Sequence, residues 1–274
     1  DSETGEVAGT TGIEASIGWD VPFYSYHISK VVHSSPKLGV NNVVKLLTFG
    51  NNYTGNSEIC TLFLREKFRQ GLNGRLMSKC RFLMMAEHPE RFSETIFAEM
   101  RGVSDDEGNS PFWQWLQEHF FSIDFTLADY LTGIGKKGFI ADLMPKLPIY
   151  INLLSPEAQA VIGQVHDNTR PALKLLEREG FTNRGYVDIF DAGPTVECDL
   201  RNIESVRHSF RAQVKIAQHS STQDFLMCNS SFENFRAAVT KAAYDAETQS
   251  VMIAPDVADA LLVEEGDFVR LLPQ

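Results

Sequence analysis

The chain has 274 residues, of which 43% are hydrophobic and 22% are charged, and its formal net charge is −11. This is the composition of an ordinary globular protein, with enough length for one large or two modest domains. The strong negative charge argues against nucleic acid or an anionic membrane surface as a partner of the whole molecule. No apolar run is long enough for a transmembrane helix and no secretory signal is recognisable, so no membrane association is expected.

The cysteines indicate the compartment. Cys60, Cys80, Cys198 and Cys228 are scattered along the chain and form no C-x-x-C pair. Free thiols in a reducing cytoplasm are therefore expected, rather than a disulfide framework or a zinc site. The sequence thus predicts a cytoplasmic protein without a metal.

The first quarter of the chain is typical of an antiparallel meander. The opening D-S-E-T-G is typical of a hairpin turn that no strand precedes, so we expect that an N-terminal segment of the fold is missing. Runs of β-branched and aromatic residues then predict strands over 7–17, 23–32, 43–49 and 58–64.

The stretch from Thr61 to Glu87 joins a strand to a helix through a glycine-bearing turn. T-L-F-L ends the strand at 61–64 and R-Q-G-L-N-G forms the turn at 69–74. A helix follows, and its predicted apolar face consists of Leu76, Met77, Cys80, Leu83, Met84 and Glu87. Free N–H groups and the positive end of a helix attract anions, so this unit is typical of a phosphate site.

The middle of the chain alternates helices and strands. A strand is predicted over 95–102, and Ser110 is the predicted N-cap of a helix that begins at Pro111. Phe112, Trp113, Leu116 and Phe120 should form the core face of that helix. The further predicted elements are a helix over 127–131, a strand over 139–143, a helix opened by Ser155 through 162, a helix capped by Asn168 through 179 and stopped by Gly180, and a hairpin of 186–190 with 195–200.

The tail is predicted to be rich in strands and carries no chemical motif. Strands are predicted over 235–239, 250–253 and 268–272, and a short helix over 256–262. Residues 211–231 are polar and give no clear prediction.

The turn at 69–74 resembles the coenzyme A pyrophosphate loop of GCN5-related N-acyltransferases, whose pattern is R/Q-x-x-G-x-G/A. Arg69 and Gly74 match that pattern. Leu72 stands where the first glycine belongs, and Gly71 comes one place early.

Longer strings resemble one family of that class, the arginine N-succinyltransferases. They are G-N-S-E-I-C-T-L-F-L (55–64), A-E-M-R-G-V (98–103), S-P-F-W (110–113), L-M-P-K-L-P-I-Y (143–150), E-A-Q-A-V-I-G-Q-V-H (157–166) and Y-V-D-I-F-D-A-G-P-T-V-E-C (186–198). The resemblance spans essentially the whole chain. It implies transfer of a succinyl group from succinyl-CoA to the α-amino group of L-arginine, the first step of arginine catabolism by the succinyltransferase pathway.

The expected fold is an α/β (α+β) fold with a mixed, mostly antiparallel sheet flanked by helices. Helix-to-Phe segments at 111–121 and 171–181 resemble each other, which suggests an elaborated or duplicated version of it. We expect residues 1–200 to form the acyl-CoA N-acyltransferase-like domain and residues 201–274 a β-rich C-terminal extension. An oligomer is expected, built from one chain or from this chain and a paralogous subunit.

The chemistry requires proton transfer, since the amine must lose a proton and the departing thiolate must gain one. Histidine is the usual residue for such transfers, and the chain has His27, His33, His88, His119, His166, His208 and His219. His166 is preferred because it lies beyond a helix end, at a junction before the next helix. The resemblance also implies that the histidine of G-Q-V-H is the catalytic proton donor.

The resemblance implies a binding position for succinyl-CoA at Leu62. Leu64 and other strand neighbours should offer backbone groups to the pantetheine arm, and Arg69 with the amides of 70–74, including Gly74, should face the pyrophosphate. Arg101 is a candidate for the succinyl carboxylate, because bidentate arginine suits carboxylates. Glu99, Asp105 and Asp106 are candidates for binding the substrate guanidinium. Succinyl-CoA is expected as a co-substrate, and no permanently bound cofactor is expected.

Three alternatives stay open at the level of the sequence. The first keeps the fold but uses ornithine, another amine or another acyl-CoA. The second is a non-catalytic subunit that partners an active paralogue, against which an intact His166 and the Arg69–Gly74 loop argue. The third is a truncated chain that folds poorly, because a lost first strand would leave a sheet edge unpaired.

Overall fold

The computed structural model describes residues 1, 4–105, 107–120 and 143–274. The chain divides into two compact units. The first consists of Asp1–Ala15, Ile59–Glu94 and Asp199–Gln274, and the second consists of Ser16–Glu58 and Thr95–Cys198. The division of the chain at residue 200 stays a prediction.

Strands make up much of both units. They are β1 Gly9–Glu14, β2 Ser25–Ser35, β3 Val40–Gly50, β4 Ser57–Leu64, β5 Thr95–Glu99, β6 Ile149–Tyr150, β7 Thr182–Val187, β8 Pro194–Asp199, β9 Phe210–Ile216, β10 Asp224–Asn229, β11 Ala237–Lys241, β12 Ala243–Asp245, β13 Ser250–Ile253 and β14 Phe268–Pro273. The described α-helices are α1 Asn73–Glu87, α2 Pro111–Phe120, α3 Pro156–Val161, α4 Arg170–Arg178, α5 Glu204–His208 and α6 Pro255–Leu261. Within the described ranges, no helix combines the length and the apolar character that a membrane span requires.

The second unit is built on a mixed sheet. The first two residues of β4 pair with β5 in parallel, and the order continues β8, β7, β2, β3 and β6. β2 and β3 pair antiparallel along their whole length, from Ser25 opposite Gly50 to Ser35 opposite Val40. Their β-branched and aromatic residues favour such pairing.

The core of the second unit is aromatic and forms where the helices cover the sheet. Tyr26 and Leu47 from the sheet pack in one cluster with Phe112 and Trp113 of α2. The predicted core face of α2 is therefore confirmed at Phe112, Trp113 and Leu116, which are all buried. Phe120 is an exception, because it is 41% exposed at the helix end.

The first unit contains β1, the rest of β4, α1 and a second, six-stranded sheet. The order of that sheet is β11, β10, β14, β9, β13 and β12, with β13 parallel to β9. Its core includes Phe225, Met227, Val251 and Leu271. The strands predicted over 235–239, 250–253 and 268–272 are confirmed, the first with a shift of two residues.

The predicted apolar face of α1 is confirmed only in part, because Leu83 is fully buried and the other five predicted residues are half-buried. The residues that α1 buries are Ser78, Arg81, Phe82, Leu83 and Met85, so Leu83 alone belongs to both sets. The reason is that α1 packs against β1 and also against β10, β11 and β14 of the second sheet. A helix that is covered on more than one side does not show a single apolar stripe.

The helix caps follow the sequence only in part. Ser155 caps α3 as predicted, since its Oγ accepts from the Ala158 N–H at 3.2 Å. The Ser110 carbonyl accepts the first bond of α2, but its buried Oγ has no hydrogen-bond partner among the described residues. Gly180 follows α4 with φ +98°, as expected of a helix-terminating glycine.

The predicted cap at Asn168 is wrong. A 3-10 turn over Asp167–Thr169 precedes α4, and its N-cap is His166, whose ring nitrogen Nδ1 accepts from the Asn168 N–H at 3.1 Å. The histidine ring occupies the position that an Asn or Ser side chain normally takes.

Several strands were not predicted. Most of β9 and all of β10 lie in residues 211–231. In β9, polar side chains alternate with small apolar ones such as Ala212 and Val214. The short strands β6 and β12 were also missed. The helix predicted over 127–131 and the strand predicted over 139–143, except Leu143, lie outside the described residues.

Candidate active site

The glycine-bearing turn of the first unit joins β4 to α1, as the sequence predicted. Arg69 donates from Nε to the Leu64 carbonyl at 2.8 Å and so closes the turn behind the strand. Gly71 has φ +55°, a conformation that favours glycine. This glycine at the unexpected position therefore shapes the turn.

The N-terminus of α1 is free of side-chain caps. The N-cap residue Leu72 makes no side-chain bond, and the first turn contains no acidic residue. Gly74 is exposed, and a Cβ built there would meet nothing within 4 Å. The first-turn N–H groups can thus be approached by an anion without displacing protein atoms.

Basic side chains surround this turn, although two of them are already paired. Arg65 and Lys67 both form ion pairs with Glu6, which lower the pKa of that carboxyl group. Arg69 uses Nε for the turn and leaves the rest of its guanidinium at an exposed position. Arg69 and Gly74 therefore lie in one turn, before and at the start of α1.

Leu62 and Leu64 lie on the strand that leads into this turn. Both are half-buried, whereas Phe63 between them is 54% exposed. Neither leucine belongs to the fully buried core.

A feature that sequence reasoning missed lies just before Leu62. Thr61 has φ +49°, a conformation that a β-branched residue rarely adopts. β1 lies close against this point, because a Cβ on Gly12 would come within 2.5 Å of the Thr61 Oγ1. The only sequence signal is the glycine pair of β1, Gly9 and Gly12, since glycine in a strand often marks a close backbone approach.

His166 lies in the second unit, at the start of the turn before α4. Its N–H donates to the Arg101 carbonyl at 2.9 Å, and Gly102 forms a bridge with Val165. Its Nδ1 accepts from the Asn168 N–H, so the neutral ring carries its proton on Nε2. His166 can therefore donate a hydrogen bond from Nε2 while Nδ1 holds the ring in place.

The loop over residues 188–194 fixes the backbone beside His166 through two aspartates. Sequence reasoning also missed this feature. Asp191 accepts from the Gly102 N–H with Oδ2 at 2.7 Å and from the Gly193 N–H with Oδ1 at 2.8 Å. Asp188 Oδ1 accepts from the N–H groups of Phe190 and Asp191 at 2.7 and 2.9 Å. The loop thus fixes the segment whose carbonyl holds His166.

The carboxyl group of Asp188 has an altered acidity. Its removal from water and the neighbouring charge of Asp191 raise the pKa of Asp188 to about 7. The sequence shows both aspartates within D-I-F-D-A-G-P, but the contact of Asp191 with Gly102 spans 89 residues and is not visible there.

The other candidate substrate residues of the second unit are placed differently. Arg101 is exposed and donates from Nη2 to the Ser104 Oγ at 2.8 Å. Glu99 is half-buried at the end of β5. Asp105 accepts from the side chain and the N–H of Asn109 and from the N–H of Glu107, which lowers its pKa. Asp105 is thus engaged by its own loop, and Asp106 lies outside the described residues.

The described residues contain no group of three or more His, Cys, Asp or Glu that could hold a metal ion. The mixed sheet with flanking helices, the strand–turn–helix unit and the match to a solved succinyltransferase structure place the fold in the GCN5-related N-acyltransferase-like class.

Comparison with known proteins identifies the family within that class. Residues 1–205 match the family model described as "Arginine N-succinyltransferase beta subunit", and residues 210–273 match the model of its C-terminal domain. The chain belongs to the arginine N-succinyltransferase family.

Individual relatives agree with the family. The chain is 48% identical to proteins named arginine N-succinyltransferase from Salmonella paratyphi B and Salmonella newport, over 99% of this chain and 79% of each relative. A solved structure titled arginine/ornithine succinyltransferase subunit AI from Pseudomonas aeruginosa matches with a TM-score of 0.89 and 35% identity. That match covers 100% of this chain and 79% of the other.

Proposed function

We propose that this chain transfers the succinyl group of succinyl-CoA to the α-amino group of L-arginine, giving N2-succinyl-L-arginine and coenzyme A. The observation that carries the proposal is 48% identity over 99% of the chain to proteins named for this reaction. The uncapped end of α1 and the orientation of the His166 ring support it.

The proposed mechanism begins with the donor at the first unit. Leu62 and Leu64 offer backbone groups to the pantetheine arm, while Arg69 and the amides that end at Gly74 bind the pyrophosphate. The positive end of α1 and its free N–H groups favour the negatively charged phosphates. Glycine at position 74 suits this role, because its open surroundings leave room for the ligand.

The chemical step is a direct transfer. The amine nitrogen attacks the thioester carbon, an amide bond forms and the bond from that carbon to sulfur breaks. The proton that the amine loses balances the proton that the sulfur gains. His166 donates the proton from Nε2 to the departing sulfur. The bond that its Nδ1 accepts from the Asn168 N–H supports this assignment.

The remaining roles are assigned by chemistry. Glu99 is a candidate for the guanidinium of arginine and Arg101 a candidate for the carboxylate of the succinyl group. No permanently bound cofactor is needed, since the thioester supplies the activated acyl group. We place the reaction in the cytoplasm, in keeping with the free thiols of all four cysteines.

Two observations bear on the acceptor and the assembly. The solved structure at 35% identity is titled an arginine/ornithine succinyltransferase subunit, so ornithine is the second candidate acceptor. The words "subunit" in that title and "beta subunit" in the family description favour an oligomer, with a paralogous chain or with copies of this one.

The acceptor is tested by mass spectrometry of the products formed from succinyl-CoA with L-arginine, L-ornithine or Nα-acetyl-L-arginine. We expect a singly succinylated product from arginine, with kcat/KM higher than for ornithine. The blocked arginine should give none, because its α-amine is no longer a nucleophile. Succinylation of the blocked compound, or a preference for ornithine, would overturn the assignment to the α-amine of arginine.

A further inference from the structure

A buried arginine in α1 has no role in the mechanism above. Arg81 is 4% exposed and lies between Ser78, at 1%, and Phe82, at 0%. Burial lowers its pKa to about 10, so the guanidinium remains charged near neutral pH. A charge in such a place is costly unless it is paired.

The hydrogen bonds of Arg81 leave most of its donors unused. Nε donates to the Ser78 carbonyl at 3.1 Å and Nη2 approaches the Ser78 Oγ at 3.5 Å. A guanidinium has five N–H donors in a planar fork, and neither of these acceptors carries a charge. The outer edge of the fork remains available for a bidentate partner.

No carboxylate of the described residues neutralises this charge. The ionisable groups that act on Arg81 are the thiols of Cys80 and Cys60. Arg270 of the same unit is different, because its Nε lies 2.9 Å from Oε2 of Glu87, whose side chain is 5% exposed. Among the described residues, Arg270 therefore has a carboxylate partner and Arg81 does not.

The position of Arg81 links it to the donor. Cys60, whose thiol acts on Arg81, lies on β4 directly before Thr61 and two residues before Leu62. The pantetheine arm proposed to bind beside Leu62 carries the succinyl group, which ends in a carboxylate. Planar guanidinium groups bind carboxylates in a bidentate manner, which suits a buried and otherwise unpaired arginine.

We propose that Arg81 binds the terminal carboxylate of the succinyl group and thereby selects succinyl-CoA over acyl-CoA donors without that charge. The inference rests on the proposed succinyl transfer. Arg101 fits this part less well, because it is exposed and already donates to the Ser104 Oγ. An uncharged acyl group would leave the buried guanidinium unpaired, so the site rejects it.

The test compares succinyl-CoA with butyryl-CoA, which has the same number of acyl carbons and a methyl group in place of the carboxylate. We expect the wild-type chain to prefer succinyl-CoA in kcat/KM by about 100-fold or more, the range for losing one partner of a buried charge pair. Arg81→Gln should abolish most of this preference by lowering kcat/KM for succinyl-CoA alone. Arg81→Lys should restore part of it, because the positive charge returns without the fork.

The controls separate specificity from structure. Arg178→Gln, on an exposed position of α4, removes the same charge elsewhere and should leave both donors unchanged. Binding of coenzyme A itself, which lacks the acyl group, should be equal in the wild type and both Arg81 variants. Equal binding would show that the variants are folded.

Several results would overturn the inference. One is an equal kcat/KM of the wild-type chain for butyryl-CoA and succinyl-CoA. This result requires no variant. Others are equal losses for both donors in Arg81→Gln, or a loss of preference in Arg101→Gln that Arg81→Gln does not reproduce. A wild-type chain that transfers neither acyl group to arginine or ornithine would overturn the proposed function itself, a distinguishable outcome.

Discussion

At the scale of single residues, the loop from Asp188 to Pro194 fixes the backbone beside His166, the proposed proton donor. Asp191 accepts a hydrogen bond from the Gly102 N–H. The carbonyl of the preceding residue, Arg101, accepts one from the His166 N–H. Neither glycine of this network tolerates a side chain, since a Cβ on Gly102 or Gly193 would lie 2.5 or 2.1 Å from a backbone oxygen. The resulting packing leaves Asp188 with little water.

The raised pKa of Asp188 predicts a pH-dependent stability. Because the folded state holds this proton up to about pH 7 and the unfolded state only to about pH 4, the group stabilises the fold fully below pH 4. That stabilisation is lost as pH rises through 7. Asp188→Asn should therefore flatten the unfolding free energy over this window, where one proton contributes a slope of up to ~1.4 kcal/mol per pH unit.

Urea denaturation of both proteins at several pH values measures this effect. Asp245→Asn is the matched control, because hydrogen bonds from Thr248 and the Glu247 N–H lower the pKa of Asp245. Its stabilisation is present above the unfolded pKa and is lost as pH falls, the opposite sign. Parallel pH profiles for wild type and Asp188→Asn would contradict the assignment.

At the scale of elements, sequence reasoning succeeded where a structure depends on neighbours in the chain. The β4–turn–α1 unit, the start of α2 at Pro111 and the end of α4 before Gly180 all follow from local chemistry. Sequence reasoning failed where contacts between distant residues determine which side chains are buried. The face of α1 that carries Arg81 is buried because strands cover this helix on more than one side, and no periodicity in 73–87 shows that.

The residues proposed for function differ in the same way. His166 and the Arg69–Gly74 turn could be proposed from the sequence because each belongs to a short string. Asp191 bonds to a residue 89 positions away, and Arg81 is recognisable only by its burial. The cap before α4 was misplaced by two residues because a histidine ring nitrogen replaced the usual Asn or Ser oxygen.

Two serines at helix starts make a matched prediction. Ser155 caps α3 with its Oγ, so Ser155→Ala should lower the unfolding free energy by about 0.5–2 kcal/mol. Ser110 precedes α2, but its buried Oγ bonds to none of the described residues, so Ser110→Ala should cost nothing or stabilise slightly. Chemical denaturation of the two variants beside wild type gives both values. A larger loss for Ser110→Ala than for Ser155→Ala would show that the caps are assigned wrongly.

At the scale of the whole molecule, the residues proposed for donor binding belong to the first unit, and the residue proposed for proton donation belongs to the second. Substitutions in the two units should therefore change different kinetic quantities. Changes at the Arg69–Gly74 turn should raise KM for succinyl-CoA, because they weaken a ground-state contact. Changes at His166 should lower kcat, because they remove a group needed only in the transition state.

The central claim is that Nε2 of His166 takes part in succinyl transfer to arginine. His166→Asn tests it most directly, because the Asn Oδ1 can still accept from the Asn168 N–H while Nε2 is lost. The measurement is arginine-dependent release of free coenzyme A thiol from succinyl-CoA, with His208→Asn, an exposed histidine bonded to Glu204, as the control. We predict a loss of about 10²–10⁴ in kcat for His166→Asn with unchanged stability and coenzyme A binding, and none for His208→Asn. Equal kcat values in wild type and His166→Asn would contradict the account.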